Sequence, residues 1–367
     1  MLDVALKMIN TISDNGYEAY IVGGFVRDYL MGKKSNDVDI TTNAKPKELL
    51  DIFPTAVIDN ADYGSVTVYF KDIRFEITTY RVEENYSDNR HPDTIRYVNS
   101  LDEDLKRRDI TINTLCIDKL GNVCDKLQGK EDIEKHLIKT VDDPFVSFSH
   151  DALRILRAIR FATTLDFELD PLIIEAIKEN KYLLDDLSFN RKKEELNKIF
   201  GSNNLVKGIT LIKKLGLEKI LKLDKIDKVK NCSQVIGVWT ILEVDDIYPF
   251  TRNELKLMKD IRNALKDNPL AVETLYKYDL YVCSVAAELL DIPKKEIANI
   301  YSTMPIHKRG DIDIDTHDII ECLNIEEGPI ISEIWDKLES AILNNKVSNE
   351  KKQLLSLVEE IYTSLNN

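Results

Sequence analysis

The chain has 367 residues, of which 43 % are hydrophobic and 31 % charged. That is the balance of folded globular domains, with length for roughly two to four of them, and it excludes disordered and collagen-like classes. The formal net charge of −14 argues, taken alone, against a nucleic-acid partner, because phosphate contacts draw on Lys and Arg.

The charge is unevenly placed. Arginines crowd a few short stretches before Arg160, whereas acids are frequent in the C-terminal half, so an acidic chain still has the means to build a basic groove. No apolar run approaches the roughly 18–20 residues of a bilayer span. Met1-Leu2-Asp3-Val4 opens without the basic segment and apolar core of a secretory signal. Cys116, Cys124, Cys232, Cys283 and Cys322 are scattered, odd in number and never in a C-x-x-C pair. Neither a zinc site nor a disulfide framework is expected; reduced thiols in a cytoplasmic protein are.

Residues 3–15 predict a helix, with Val4, Ala5, Met8, Ile9 and Ile12 at helical spacing and a stop at Asn15-Gly16. Tyr20-Ile21-Val22 predicts a short buried strand leading into Gly23-Gly24. Asp37-Val38-Asp39-Ile40 alternates as a half-buried strand does. Residues 65–70 and 74–80 predict a hairpin, and Ile110 to Ile117 fits helix or strand equally. After Pro144 strand signals almost vanish. Residues 150–165, 171–180, 190–200 and 204–215 predict successive amphipathic helices. The remainder is mostly helical, with loops at Asn268-Pro269, Asp291-Ile292-Pro293 and Gly328-Pro329. The expectation is an N-terminal α/β domain followed by a long helical extension.

Two constellations carry chemistry. Gly23-Gly24 stands between strand and helix, where glycine lets the backbone approach a ligand and a helix start favours an anion; Arg27 adds a fixed positive charge for phosphate. The plain alternative is a tight turn with a surface arginine. Asp37 and Asp39 are two apart and so share one strand face. Paired carboxylates repel unless a cation sits between them, and Mg2+ favours such oxygens. Two metals roughly 3.5–4 Å apart would activate an attacking hydroxyl and stabilise a leaving oxygen. An isolated D-x-D is more often a pair of solvated acids, but the ordered series of strand, Gly-Gly, Arg27, Asp37 and Asp39 is much rarer.

Gly23-Gly24-Phe25-Val26-Arg27-Asp28-Tyr29-Leu30-Met31-Gly32, followed by Asp37-Val38-Asp39-Ile40-Thr41-Thr42, resembles the signature of class II CCA-adding enzymes and bacterial poly(A) polymerases. Three later stretches match in order. Arg107-Arg108-Asp109-Ile110-Thr111-Ile112-Asn113 resembles R-R-D-F-T-x-N, with Ile110 where Phe is usual. Asp143-Pro144 through Phe148 resembles D-P-x-x-x-F. His150-Asp151-Ala152-Leu153-Arg154 resembles E-D-x-x-R and continues through Arg157 and Arg160 to Phe161. Together they cover about residues 20–165. Beyond them the likeness rests on Gly216-Leu217 and Gly328-Pro329. His150 departs from the pattern by replacing its acid. It is expected to act as a helix-start residue or in support or tuning, outside the chemistry.

The resemblance implies a DNA polymerase beta-like nucleotidyltransferase head with a mixed sheet, followed by an elongated all-α extension. It implies boundaries of 1–140 for the head, 141–200 for a helical neck that reads the base, 201–265 for a helical body and 266–367 for a tRNA-binding tail. In it Asp37 and Asp39 are catalytic and hold Mg2+, while Gly24, Arg27 and Arg108 contact the triphosphate. The tRNA 3′ hydroxyl attacks the α-phosphorus of CTP or ATP, and pyrophosphate leaves. Without a template, Asp151 and Arg154, three apart on a predicted helix, complement cytosine or adenine, with Arg157 and Arg160 continuing the row. For Arg108 the alternative is a surface ion pair with Asp102, Glu103 or Asp104. For the row it is a charged face over Leu153, Leu156 and Ile159.

Glu76 is expected as a solvated or ion-paired strand acid, with a general base near the metals as the alternative. Residues 86–93, polar and turn-rich, resemble the family's specificity-switching loop and favour CCA or A addition over CC addition. Lys207, Lys213, Lys214, Lys219, Lys222, Lys225, Lys228 and Lys230 form a basic stretch suited to phosphate contact. The expected function is CCA addition to tRNA. Its alternatives are A-only addition, poly(A) synthesis, or a non-catalytic tRNA-binding protein. Neither His150-Asp151 nor His317-Asp318 sits in a histidine cluster, so no phosphohydrolase activity is expected. The oligomeric state is not legible in the sequence.

Overall fold

The computed structural model describes residues 1–366 apart from Asn36, 61–62, Asp72, Asn85, 87–91 and Asn231, and apart from the side chain of Asn60. It divides into two compact units, Met1–Asp224 and Lys225–Asn367. The division falls inside the expected 201–265 segment.

The first unit opens with α1 (Leu2–Asp14), β1 (Ala19–Val22), α2 (Gly24–Leu30), β2 (Val38–Thr42) and α3 (Pro46–Ile52). Then come β3 (Val57–Asn60), β4 (Ser65–Phe70), β5 (Ile73–Thr79), β6 (Arg81–Glu84), β7 (Thr94–Tyr97) and α4 (Leu101–Lys106). After a 3-10 turn at Thr111–Asn113 follow β8 (Cys116–Ile117), β9 (Val123–Cys124), α5 (Gly129–Glu134) and β10 (Leu137–Ile138). The segment that fitted helix or strand equally is therefore both: a turn, then a strand. Seven strands form one sheet in the order β3-β4-β5-β2-β1-β8-β9. It is mixed, because β2 runs parallel to β5 while its other pairings are antiparallel.

Strand alternation decides which face is core and which is site. Val38 and Ile40 on β2 and Phe75 and Ile77 on β5 are buried against Met8, Ile9 and Ile12 of α1. Each such side chain contributes about 1.5–3 kcal/mol by leaving water. The intervening residues point the other way. Asp39 and Glu76 are therefore register partners on the face opposite the core. A one-residue slip of β2 would exchange Asp39 with an aliphatic residue, so the core itself fixes the carboxylate's side. That second face carries a smaller cluster of Val22, Tyr80, Val98, Leu101, Leu105 and Cys116.

The unit continues through α6 (Pro144–His150), α7 (Leu153–Leu165), β11 (Glu168–Leu169), α8 (Pro171–Asn180), α9 (Phe189–Phe200) and α10 (Leu205–Lys214). β11 pairs in parallel with β10, a strand that the sequence pattern did not announce. Gly208 on α10 allows a close crossing: a Cβ there would stand 2.5 Å from Ile199 and 3.1 Å from Thr163. The expected helix at 150–165 begins later. α6 ends at His150, Asp151 is extended (φ −138°, ψ 98°), and α7 starts at Leu153. The second unit is helical: α11 (Val235–Leu242), α12 (Arg252–Lys266), α13 (Val272–Leu289), α14 (Lys294–Ser302), α15 (Thr316–Leu323), α16 (Pro329–Leu343) and α17 (Lys351–Asn366). α13 is broken at Asp279 (φ 73°, ψ 170°). Among the described residues no helix is long and apolar enough to cross a membrane.

Candidate functional site

The site begins where β1 hands over to α2. Gly23 takes φ 80°, ψ −141°, a conformation open to glycine alone at low cost. A Cβ on it would stand 3.3 Å from Oδ2 of Asp39 and 3.7 Å from Nη1 of Arg108. Asp37 lies one residue ahead of β2 and is exposed; Asp39 is half-buried on the strand. Both line a cavity of about 760 Å³ together with Gly23, Gly24, Arg27, Arg108, Asp151, Arg154, Arg157 and Arg160. All nine residues singled out from the sequence thus meet in one space. Both aspartates also face an adjoining cavity of about 580 Å³, shared with Asp59, Ser65 and Glu76. Glu76 is exposed and accepts a hydrogen bond from Ser65 Oγ at 3.0 Å.

The carboxylates repel one another. Burial, then the charges of Asp37 and Glu76, push the Asp39 carboxyl up to about 6, while Arg108 and Arg74 pull it down. An oxygen-only donor set that disfavours its own ionisation is what a hard dication relieves, and the missing Cβ of Gly23 leaves it room. Among the described residues no three His, Cys, Asp or Glu side chains enclose an ion by themselves. A dication held by Asp37 and Asp39 would keep positions open for phosphate oxygens and water, the usual manner for Mg2+.

Behind the acids lies a charge hub centred on Asp104, whose side chain is fully buried. Its carboxylate accepts from Arg107 Nε at 2.8 Å, Thr41 Oγ1 at 3.0 Å, Arg108 Nη2 at 3.3 Å and the Arg81 backbone at 3.3 Å. Burial opposes ionisation there, but Arg107 and Arg108 outweigh it and hold the carboxyl below its ordinary range. Of the three acids offered as partners for Arg108, the structure selects Asp104, at the end of a buried pair rather than on the surface. Arg108 Nε is buried and has no partner within the described residues. Arg27 is also held: it donates to Asn113 Oδ1 at 2.7 Å and twice to Asp28 Oδ1, at 2.8 and 2.9 Å.

The row 151–154–157–160 is not one helical face. Asp151 precedes α7, and its Oδ1 accepts from the Leu153 backbone at 3.0 Å. Arg154, in the first turn of α7, donates to Ser147 Oγ at 2.9 Å and to the Arg107 carbonyl at 2.8 Å. Arg157 grips Asp109 Oδ2 through Nε at 2.7 Å and Nη2 at 2.6 Å. Burial raises the Asp109 carboxyl, yet Arg157 and Arg154 prevail and bring it down to about 2. Arg160 donates to Glu195 Oε2 at 2.7 Å and lies 3.7 Å over the Phe161 ring, near which Arg27 and Arg157 also stand, at 5.5 and 5.6 Å. Arg157 and Arg160 therefore border the cavity with their guanidinium groups committed to protein acids.

Sequence reasoning gave no role to Asp109, Asn113, Glu83, Glu195 or Phe161, and named Asp104 only as one of three surface partners for Arg108. Asp109, Asn113 and Phe161 stand inside the quoted motifs and were within reach. Glu195 on α9 carries no local signal; only packing of α9 on α7 brings it to Arg160. The cavity lining holds eight arginines against five acids, so a locally positive site sits in a chain of net charge −14. The basic stretch is less available than its composition suggests. Lys207 pairs with Asp166 and Glu168. In the second unit Lys225 pairs with Glu243 and Lys230 with Asp291. Lys214, Lys219 and Lys222 are exposed. Of the specificity-loop segment, 87–91 lies outside the described residues.

Comparison with known proteins agrees with this geometry. Residues 19–139 match the Poly A polymerase head domain family, 166–224 a probable RNA and SrmB- binding site of polymerase A, and 239–358 a putative tRNA nucleotidyltransferase domain 2. The chain is 32 % identical to the CCA-adding enzyme of Ligilactobacillus salivarius, covering 96 % of this chain and 94 % of that one. It is 33 % identical to that of Anoxybacillus flavithermus, over 95 % of each. Its fold superposes on the Bacillus stearothermophilus CCA-adding enzyme in complex with CTP with a TM-score of 0.88 at 28 % identity, covering 99 % and 98 % of the two chains.

Proposed function

The chain belongs to the family of CCA-adding enzymes, and from that membership we infer how its residues divide the work of rebuilding a tRNA 3′ end. It is a tRNA nucleotidyltransferase that adds C, C and A from CTP and ATP without a template and releases pyrophosphate. Enzymes of this kind use a divalent metal. The proposal names Mg2+ and places it on Asp37 and Asp39. When bound, it supplies charge to offset the phosphates and lowers the barrier to attack on the α-phosphorus.

The chain's own groups account for the rest. Gly23 and Gly24 let the backbone and the acids come close to the triphosphate without a side chain intervening. Arg108 lines that space, and Asp104 orients it from behind. Arg27 is preset by Asn113 and Asp28, so little is lost in ordering it on phosphate. Asp151 and Arg154 accept from and donate to the Watson–Crick edge of cytosine or adenine; a base with the other pattern leaves a buried polar group unpaired. Arg157 and Arg160 shape the wall and its positive potential while tied to Asp109 and Glu195. The second cavity, with Asp59 and Glu76, leaves space for the attacking ribose. The proposed boundaries of head, neck, body and tail follow the family pattern at 1–140, 141–200, 201–265 and 266–367.

One observation supports this reading above the others: the acids 37 and 39 and the pair 151 and 154 line the same arginine-rich cavity. The test is incubation of a tRNA lacking its CCA end with CTP and ATP, singly and together, with Mg2+. The expected result is CMP incorporation from CTP alone, with one AMP added once ATP is present. AMP incorporation alone would make the protein an A-adding enzyme, and long AMP tracts a poly(A) polymerase.

A further inference from the structure

Seven of the eight arginines that line the larger cavity are anchored on buried or half-buried groups of the protein. Arg191 is the eighth, and it is held differently. It stands in the first turn of α9 with 47 % of its side chain exposed. Its bond within the described residues runs to Oε2 of Glu194 at 3.2 Å, and Glu194 is itself 45 % exposed. An exposed pair three residues apart on a helix contributes little and is readily exchanged.

Helix stability does not explain the position. The first turn of α9 holds Arg191, Lys192 and Lys193 and no acid. Cations at a helix start oppose the helix dipole, whereas an anion bound there is favoured by it.

Contacts along the wall place Arg191 at the end of the cavity away from the metal-binding acids. Gly23 adjoins Asp39, and Gly24 adjoins Arg27. Arg27 stands 5.5 Å from the Phe161 ring. Arg160 covers that ring at 3.7 Å while donating to Glu195 on α9. Glu195 is four residues from Arg191 and so shares its helix face. A triphosphate with its α-phosphorus at the acids and its next phosphate at Arg27 extends along this wall toward Arg191.

We propose that Arg191 is a further phosphate-binding residue, which leaves Glu194 and closes on the terminal phosphate of the bound nucleoside triphosphate. This rests on the placement of the triphosphate at Gly24, Arg27 and Arg108. The guanidinium exchanges a weak ion pair in water for charge-assisted bonds to a more highly charged group. It contacts phosphate and not the base, so CTP and ATP gain alike.

The test is equilibrium titration of the full chain with CTP, CDP and CMP in Mg2+, for the parent, Arg191→Met and Glu194→Gln. Arg191→Met removes a surface bond and is expected to keep the parent's Tm to within about 3 °C. It should bind CTP about tenfold more weakly, the scale of a lost charge-assisted bond, and CMP within about twofold of the parent. Its kcat/KM should fall by similar factors for CTP and ATP, with KM for tRNA lacking CCA unchanged to within about twofold. Glu194→Gln, which frees the guanidinium, should bind CTP at least as tightly as the parent. A rise in KM for tRNA with CTP binding intact would make an RNA phosphodiester the ligand and overturn the proposal. Equal losses for CTP and CMP would overturn it too, as would a loss in Glu194→Gln as large as that in Arg191→Met. A parent that binds CTP no more tightly than CMP would remove the triphosphate placement itself. A parent that prefers CTP, with a methionine variant that prefers it equally, would refute the role of Arg191 and leave that placement standing.

Discussion

A β-carbon on Gly23 would stand 3.3 Å from Oδ2 of Asp39, so the backbone turn and the strand acid occupy each other's margin. Gly23 also has φ +80°. Gly23→Ala is expected to cost about 1–3 kcal/mol of stability through backbone strain alone. It should also reduce CMP incorporation at least about tenfold by displacing the carboxylate, since sub-ångström misplacement is costly in a site built on orientation. Gly24→Ala is the control: its Cβ would meet Arg27 Nη2 at an ordinary 3.5 Å. Thermal melting and single-nucleotide incorporation read both. Equal behaviour of the two variants would remove the close approach as the reason for glycine at 23.

Asp39 is expected to weaken the fold that it serves. Its carboxyl sits at about 6 in the folded protein, raised first by burial and then by Asp37 and Glu76, against about 3.9 in an unfolded chain. At pH 7, above both values, the ionised form is disfavoured by folding and Asp39 subtracts stability; lowering the pH through 6 toward 4 relieves this. Asp39→Asn should therefore raise Tm by about 2 °C or more in metal-free buffer while abolishing incorporation. Added Mg2+ should raise the Tm of the parent and leave the variant unmoved. A metal-free parent at least as stable as the variant would contradict the repulsion argument.

The Asp109–Arg157 pair has the opposite sign. Arg157 and Arg154 overcome the burial penalty and hold the Asp109 carboxyl down to about 2, so its contribution is complete above its unfolded value near 3.9 and is lost as the pH falls from there toward 2. Asp109→Asn is expected to cost roughly 1–2 kcal/mol at pH 7, less than a fully buried pair loses, because Arg157 keeps partial contact with water. Urea unfolding at pH 7 and pH 3 reads this. The gap between parent and variant should narrow at the lower pH; a gap independent of pH would assign the cost to packing.

Arg154 and Arg160, both on α7, should fail in different ways. Arg160 is bound to Glu195 at 2.7 Å and lies on Phe161, so Arg160→Met should lower Tm and reduce kcat/KM for CTP and ATP by similar factors. Arg154, which lines the cavity, is proposed to touch the base. Arg154→Met should reduce discrimination against UTP by about tenfold or more, as expected when a buried polar partner is lost. Identical nucleotide profiles for the two variants would place them in the same role.

Much of the head was legible because its signals are local. A period of two in 65–70 and 74–80 fixes strands, helical spacing in α1 fixes a helix, and Gly23-Gly24 marks a turn whose geometry only glycine adopts cheaply. Motif order was enough to bring nine residues into one cavity. The errors lie where local pattern ran through a junction. Residues 150–165 keep helical spacing, yet the chain breaks at Asp151, so the proposed base-reading pair spans two elements instead of one face.

The sequence by itself determined the α/β character of the head and the helical character of the remainder, the family, and the identity of the acids and arginines, since these depend on composition and spacing along the chain. Tertiary structure alone decided what each charge faces. Asp104 became a buried anchor rather than a surface acid, Arg157 and Arg160 turned to Asp109 and Glu195, and Tyr86 found His150. Apart from the short-range pairs of Asp104 with Arg107 and Arg108, those pairings join residues far apart in sequence, and their strength comes from burial and geometry, which exist only once the helices and the sheet have packed.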